Sequence, residues 1–321
     1  MSDRSRNMKE HAEEFLKKLE ARHYSSETLK IRRFDLAVFL QWAEDRGMTD
    51  PEDISRPVID RYQRYIFKYR KKNGEPLALS SQRGRLVAIK QFFKDLAQRY
   101  VILNNPTSEL QMPREGHRLP RDPFNISEVE LILIQPDIET PNGLRDRCLM
   151  ELLYSTGVRR SELVGLSIYD IDFDRQVIMI REGKGRKDRV VPVGNRALLW
   201  LEKYLHEGRP LFCLQAEEPH LFFTKRGQYM SSSYLGSCVR RYIDQAGVNK
   251  KGSCHLFRHT VATLMLENGA DIRYIQQLLG HAKLNTTEVY TRVSIDQLRK
   301  VHRLTHPADL NPQKSEPDSL N

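Results

Sequence analysis

Apolar residues recur at helical spacing in four segments of the first hundred residues. The pattern predicts helices over residues 8–20, from Ser25 to Asp45, from Ser55 into the basic loop 68–76, and over residues 80–100. Serines placed before these periodic stretches are typical N-caps, with Ser80 and Ser81 assigned that role in the fourth helix. The second helix is predicted to bury one face made of Leu29, Phe34, Val38, Phe39 and Trp42.

The middle of the chain combines helical spacing with short runs typical of β-strands. A strongly apolar helix is predicted over residues 144–155, and shorter helices open at Ser127 and at Ser161. The β-type runs are Ile168–Phe173, Gln176–Arg181, Arg189–Val193 and Leu221–Phe223. Between them and after them, helices are predicted at Leu198–Tyr204 and Ser231–Ala246.

Glycines and capping residues divide residues 255–290 into three further helices. The first ends at Asn268-Gly269, because Gly is the usual left-handed residue past a helix C-terminus. Asp271 is the predicted N-cap of a second helix that ends at Gly280, and a short third helix carries Tyr290.

A last amphipathic helix is predicted over residues 294–306. Its apolar stripe consists of Ile295, Leu298, Val301 and Leu304. A stripe of this kind needs a partner surface, which is either the helix's own domain or a neighbouring subunit.

The segment from Asn104 to Arg121 interrupts this regular patterning. It contains three prolines, few apolar residues and no periodicity, which is typical of an extended linker. The predicted fold is therefore mainly α with a small antiparallel β-sheet, in two domains. We assign residues 1–103 to a four-helix domain, 104–123 to the linker, 124–308 to an α+β domain and 309–321 to a disordered tail.

Composition and charge narrow the class of protein. No segment is long and apolar enough to span a bilayer, and the N-terminal residues lack the apolar core of a secretory signal. Four scattered cysteines without a CxxC pair fit reduced thiols in the cytoplasm. The net charge of +10 favours a polyanionic partner, and residues 1–120 carry +7 of it.

Basic residues cluster near the starts of the second and fourth helices. A solvated face would explain them individually, but their clustering favours contacts with DNA phosphates. The candidate DNA-binding residues are Lys30, Arg32, Arg33, Arg83, Arg85 and Lys90.

Candidate catalytic side chains lie in the second predicted domain. Arg159 stands beside a helix N-terminus, which favours anion binding, and Glu162 is spaced to hold its guanidinium. His255 and Arg258 are three residues apart and share a helix face. His255 and His259 have the spacing of a zinc pair, but Leu256 stands where a metalloprotease carries its Glu. The cysteines supply no further ligand pair, so no metal site is predicted.

The chain resembles the tyrosine recombinase (phage integrase) family and its Xer-type members in four motifs, TGVRRSEL, GKGRK, HLFRH and LLGH. It also resembles them in the position of Tyr290, nine residues after His281. The resemblance covers residues from about 8 to 306 and implies a core-binding N-terminal domain. It implies that Glu162 supports the first catalytic Arg. It also implies a catalytic set made of Arg159, Lys184, His255, Arg258, His281 and Tyr290.

These residue types suit phosphodiester transfer without a metal or other cofactor. Two arginines can bind the non-bridging oxygens and stabilise the charge of the transition state. Tyr290 can act as a covalent nucleophile, with His255 as base, His281 as a donor to the phosphoryl group and Lys184 as the acid for the leaving 5′-hydroxyl. The covalent 3′-phosphotyrosyl link preserves the bond energy, so ATP is not required.

The predicted function is site-specific DNA recombination, in DNA integration and excision or in the resolution of chromosome or plasmid dimers. Two alternatives remain open, a type IB topoisomerase and a DNA-binding protein without catalysis. The expected partners are double-stranded DNA sites and further copies of the chain, forming a tetramer on two duplexes, with or without a related recombinase. In the family that this chain resembles, the final helix docks on a neighbouring subunit, which implies that role for residues 294–306.

Overall fold

A computed structural model describes residues 7–114, 122–181, 188–213, 215, 217–280 and 295–307. The chain divides into two compact units, Met1–Leu119 and Pro120–Asn321. Helices dominate both, and a small antiparallel sheet lies in the second unit. The predicted fold class is therefore confirmed. Among the described residues, no helix has the length and apolar character needed to cross a membrane.

The described residues of the first unit form four α-helices around an aromatic core. They are α1 (Met8–Ala21), α2 (Ser26–Glu44), α3 (Arg56–Lys68) and α4 (Leu79–Gln98). Ser25 caps α2 by accepting a hydrogen bond from the backbone N–H of Thr28, as its sequence position predicts. The rings of Phe39, Tyr62 and Phe93 meet edge to face between α2, α3 and α4 and hold these helices together.

Two details of the first unit differ from the sequence prediction. Phe34 is 59 % exposed, because the buried stripe of α2 runs through Leu36 and Phe39 and takes in Asp35 instead. Helix α4 begins before Ser80 and Ser81, since the backbone N–H of Gln82 already bonds to the carbonyl of Ala78. The predicted serine caps of α4 are therefore wrong.

Residues of the segment predicted as a linker make several contacts within the first unit. Leu110 is buried in its core, and Gln63 Nε2 donates to the carbonyl of Gln111 at 3.0 Å. Arg83 Nη1 donates to the carbonyl of Pro113 at 2.6 Å. The boundaries 1–103, 104–123, 124–308 and 309–321 stay a prediction.

The second unit is built around one helix that is buried on all sides. In the part of this unit that the structure describes, the α-helices and β-strands in chain order are α5 (Ile126–Leu133), α6 (Pro141–Thr156), α7 (Arg160–Val164), β1 (Ile171–Asp172), β2 (Val177–Ile180), β3 (Arg189–Pro192), α8 (Asn195–Lys203), α9 (Ser232–Gln245), α10 (Cys254–Glu267), α11 (Ile272–Leu279) and α12 (Ile295–Thr305). Helix α6 is the central one, and its charged residues are paired because an unpaired buried charge is costly. Arg145 pairs with Asp146, and Arg147 pairs with Glu151.

The sheet is small, antiparallel and ordered β1-β2-β3. The run Ile168–Phe173 forms a shorter strand than predicted. Its first residues make a helical turn in which the Asp170 carboxylate accepts from the backbone N–H of Ser167 and from Arg181 Nε. Within the described residues, the run Leu221–Phe223 forms no strand and contributes one isolated bridge, between Phe223 and Tyr229.

Helix α12 packs against its own unit in this single chain. Nε2 of His302 donates to the carbonyl of Ser155 at 2.8 Å, and Nε2 of His306 donates to the carbonyl of Tyr154 at 2.7 Å. Val301 packs on the core, whereas Leu304 is exposed, so the buried face differs from the predicted stripe. The side chains of Ile295 and Leu298 lie outside the described part.

Candidate active site

Arg159 is placed by the sharp turn that follows α6. Gly157 ends α6 in the left-handed conformation, with φ +60°, as its position after a periodic stretch predicts. A Cβ at residue 157 would lie 2.7 Å from Leu279 Cδ2, so a larger residue there would also displace the Leu279 side chain. Arg159 then occupies the N-cap position of α7.

The Glu162 carboxylate holds the backbone and the side chain of Arg159. Its Oε2 accepts from the Arg159 backbone N–H at 2.8 Å, and its Oε1 accepts from Arg159 Nη1 at 2.7 Å. The Glu162 side chain is only 5 % exposed. Burial opposes ionisation, but hydrogen bonds from Arg189 and Arg159 outweigh it and lower the pKa of Glu162 to about 2.

Arg258 reaches the same region from α10. Its Nη1 donates to the carbonyl of Gly157 at 2.8 Å and its Nη2 to the carbonyl of Leu279 at 2.6 Å. The residue is 5 % exposed. Burial, reinforced by the charge of Arg159, lowers the pKa of Arg258 to about 10, so its guanidinium remains protonated at neutral pH.

The C-terminal end of α11 is the point where the two candidate catalytic arginines meet. Arg159 Nη2 donates to the carbonyl of Gly280 at 2.8 Å, next to the Leu279 carbonyl bound by Arg258. Each terminal nitrogen of a guanidinium carries two N–H groups. Counting contacts with the described residues, both arginines therefore keep donors for a further acceptor, and the arrangement suits an anion with several oxygens.

The remaining predicted catalytic residues fall in two groups. His255 lies one turn before Arg258 on α10 and is exposed. Lys184, His281 and Tyr290 lie outside the described residues, and so does the short helix predicted around Tyr290.

Arg189 is a residue of this cluster that sequence reasoning did not single out. Its Nη1 and Nη2 donate to the two carboxylate oxygens of Glu162 at 3.0 and 2.7 Å. A signal was present in the run Arg189–Val193, where alternation puts Arg189 on the same strand face as the buried Val191 and Val193. A charge on an apolar face predicts a buried counter-charge.

The candidate DNA-binding residues of the first unit lie on α2 and α4, which pack against each other. Arg32 Nη1 is 3.4 Å from the carbonyl of Gly84 on α4. Arg33 is exposed, 3.5 Å from Glu13. Lys30 is exposed on α2, and Arg83 and Lys90 are half-buried on α4.

Arg85 differs from the other candidates because it is buried. Its guanidinium lies 5.4 Å from the centre of the Tyr69 ring, a cation–π geometry. Burial also raises the pKa of the nearby Asp35 carboxyl, although the charges of Arg32 and Arg85 partly oppose the shift.

A basic groove of about 870 Å³ opens between α7, α9 and the start of α10. Arg160, Arg240 and Arg241 line it together with small residues such as Gly236 and Ser253. Arg240 is held in place by Asp244, at 3.0 Å from Nε, and by the carbonyl of Lys250, at 2.6 Å from Nη1.

Comparison with protein families gives two matches that together span most of the chain. The phage integrase family matches residues 125–296. An N-terminal SAM-like domain of phage integrases matches residues 12–102.

Two relatives from Ralstonia nicotianae are similar over nearly the whole chain. Tyrosine recombinase XerC 2 is 53 % identical over 287 residues, which cover 89 % of this chain and 82 % of the relative. Tyrosine recombinase XerD is 34 % identical over 284 residues, covering 87 % of this chain and 88 % of the relative.

Among solved structures, a lambda integrase dimer bound to a COC′ core site has the same fold. The TM-score is 0.64 at 19 % identity, and the match covers 90 % of this chain and 100 % of that chain.

Proposed function

The chain belongs to the phage integrase family and is a site-specific tyrosine recombinase, and on this premise we propose that Tyr290 is its nucleophile and that Arg159 and Arg258 bind the scissile phosphate. The observation that carries the proposal is the meeting of the two guanidinium groups at adjacent carbonyls, Leu279 and Gly280. These carbonyls directly precede His281, the next proposed catalytic residue.

The two arginines supply the electrostatic part of the mechanism. In the transition state of phosphoryl transfer, negative charge lies on the non-bridging oxygens. Arg159 and Arg258 reach the site from α7 and α10, which are anchored to the buried core, so little reorganisation accompanies the reaction. Preorganised donors of this kind contribute the largest share of the rate enhancement in many enzymes.

The other proposed residues move protons and form the covalent bond. The Tyr290 oxygen attacks phosphorus and loses its proton to His255, while the bond to the 5′ oxygen breaks and Lys184 protonates the leaving hydroxyl. His281 donates a hydrogen bond to a phosphoryl oxygen. Attack of a 5′-hydroxyl from a partner strand on the 3′-phosphotyrosyl link reverses these steps and releases Tyr290.

We propose that both units bind double-stranded DNA, the substrate, and that the protein acts in the cytoplasm. In the first unit the exposed basic residues of α2 and α4 support this role, and in the second unit the groove lined by Arg160, Arg240 and Arg241 does so. The relatives are named recombinases, which favours recombination over the topoisomerase and binding-only alternatives.

We further propose that four copies assemble on two duplexes, with or without a related recombinase. The support is the resemblance to Xer-type proteins and the exposed Leu304 on α12. The packing of α12 on its own unit means that exchange with a neighbour first breaks the hydrogen bonds of His302 and His306.

The test begins with the DNA site itself. The purified protein is incubated with a randomised library of nicked duplexes and is then denatured with detergent. The DNA that stays covalently attached to the protein is sequenced. The selected duplex then serves for single-turnover cleavage by variants. We expect Tyr290→Phe to form no covalent adduct while binding the duplex with nearly unchanged affinity, because only the hydroxyl takes part in the chemistry.

Arg159→Ala and Arg258→Ala test the phosphate site in the same assay. Removing one transition-state donor typically lowers the rate about 10²- to 10³-fold. Arg175→Ala is the matched control, since Arg175 is an exposed arginine of the β1–β2 turn that lies 4.0 Å from Asp172. A covalent adduct with Tyr290→Phe, or near-normal cleavage by either arginine variant, would contradict the assignment.

A further inference from the structure

Arg189 connects two elements of the candidate active site. It is the first residue of β3, and its side chain is 13 % exposed. Both of its terminal nitrogens donate to the Glu162 carboxylate on α7, and its Nε donates to the carbonyl of Leu278 at 3.2 Å, near the end of α11. One side chain therefore links α7 to α11.

Its partner Glu162 is shared with Arg159. The same carboxylate accepts two hydrogen bonds from Arg189 and two from Arg159, counting the backbone N–H of the latter. A carboxylate has about four lone-pair sites, so this acceptor is filled. The position of the Arg159 guanidinium thus depends on a carboxylate that Arg189 fixes from the opposite side.

Three successive carbonyls at the end of α11 each accept from a different arginine. Leu278 accepts from Arg189, Leu279 from Arg258 and Gly280 from Arg159. These carbonyls have no acceptor role inside the helix, so the arginines satisfy groups that would otherwise need water. The chain that continues toward His281 therefore leaves α11 from a point fixed by three guanidinium groups.

Gly280 gives independent support for this role, because its left-handed conformation favours glycine and the Arg189 side chain lies close against it. Its φ is +63°, and a Cβ there would lie 3.1 Å from Cζ and from Nε of Arg189. The Arg189 side chain therefore lies directly against the backbone that leads to residue 281.

We propose that Arg189 is a positioning residue of the recombination reaction. It aligns Arg159 through Glu162 and fixes the end of α11 through Leu278, so that the phosphate donors are in place before DNA binds. A planar, bidentate guanidinium suits this task better than a lysine ammonium, which binds as a point charge. The inference rests on the proposed role of Arg159 in binding the scissile phosphate.

The test measures DNA affinity and single-turnover cleavage separately for Arg189→Ala, Arg189→Lys and the control Arg175→Ala. A misplacement of about 1 Å can lower a rate about 10²-fold, so we expect a loss of that order for Arg189→Ala with little change in Kd. Arg189→Lys keeps the charge but not the fork, and we expect an intermediate rate. Arg175→Ala should cleave like the unmodified protein.

A double-mutant cycle with Arg159→Ala separates positioning from a general structural role. Because Arg189 acts in part through Arg159, the loss caused by Arg189→Ala should be smaller in the Arg159→Ala background than in the unmodified protein. Fully additive losses, or near-normal cleavage by Arg189→Ala, would overturn the inference. If Arg189→Ala fails to fold, Arg189→Lys decides, and a wild-type rate for that variant overturns the bidentate role.

The outcome also distinguishes this inference from the proposed function. Normal cleavage by Arg159→Ala would remove the premise itself. Loss of cleavage by Arg159→Ala together with normal cleavage by Arg189→Ala would leave the proposed function intact and refute only the role of Arg189.

Discussion

Glu162→Gln is the substitution whose effect can be worked out most fully from the structure. The change keeps the shape of the side chain but removes its charge and replaces one acceptor oxygen by an NH₂ donor. Because the four hydrogen bonds that described residues make to Glu162 all come from N–H groups, the amide must place a donor against a donor of Arg159 or Arg189. We therefore expect the second unit to be destabilised.

The lowered pKa of Glu162 sets the size of that loss. A fall from the usual 4.5 to about 2 corresponds to about 3 kcal/mol of stability in favour of the ionised folded state. Breaking a buried ion pair by removing one partner costs about 3–5 kcal/mol, which agrees in order of magnitude. Because the folded-state pKa is the lower one, this contribution is fully present above about pH 4.5 and is lost as the pH falls toward 2.

The assay is urea unfolding followed by the fluorescence of a single tryptophan. The chain has two, Trp42 in the first unit and Trp200 in the second, so Trp42→Phe leaves Trp200 as the reporter of the second unit. We expect Glu162→Gln to lower the free energy of unfolding by about 3 kcal/mol at pH 7. At pH 3.5 the difference should be smaller by roughly 1.4 kcal/mol, since the wild-type carboxylate has by then lost part of its advantage.

The matched control is Glu267→Gln, which makes the same chemical change at an exposed position near the end of α10. A surface substitution of this kind typically changes stability by no more than about 0.5 kcal/mol. A loss below 1 kcal/mol for Glu162→Gln at pH 7, or a loss that does not shrink at pH 3.5, would refute the reasoning.

Two further predictions concern the proposed general acid, Lys184, and the last helix, α12. Lys184→Ala should cleave slowly on ordinary DNA but recover on a 5′-bridging phosphorothioate, whose thiolate leaves without a proton; an equal defect on both substrates would show that Lys184 is not the general acid. Truncation after Val293 removes α12 and should retain DNA binding while abolishing cooperative synapsis and recombination, as measured by gel shift and strand exchange. Full recombination by the truncated protein, or its collapse to an unfolded monomer, would contradict the exchange of α12 between subunits.

Local signals in the sequence predicted the parts of the site that are close along the chain. The turn at Gly157, the N-terminal position of Arg159 and the pairing of Arg159 with Glu162 all lie within six residues. Caps and spacing of three or four residues determine such features, so one sequence was sufficient to predict them.

Features that depend on packing between distant segments were not predicted. Arg258 reaches a carbonyl 21 residues away, and Arg189 reaches Leu278 across 89 residues. Phe34 was assigned to the core because it is apolar and fits the helical period, yet the packing of α2 on its neighbours places it in solvent. Periodicity indicates that a face is buried but defines its direction only approximately.

The end of α11 also determines how much charge the site can offer to DNA. The C-terminus of a helix carries roughly half a negative charge, which would repel a phosphate. The cluster has three positive charges, on Arg159, Arg189 and Arg258. The negative charge of Glu162 and the half charge of the helix end offset part of them, which leaves roughly one and a half positive charges. That excess is enough to balance one phosphodiester. Loss of any one of the three arginines would reduce it to roughly half a charge, so the cluster would no longer balance the full charge of one phosphodiester.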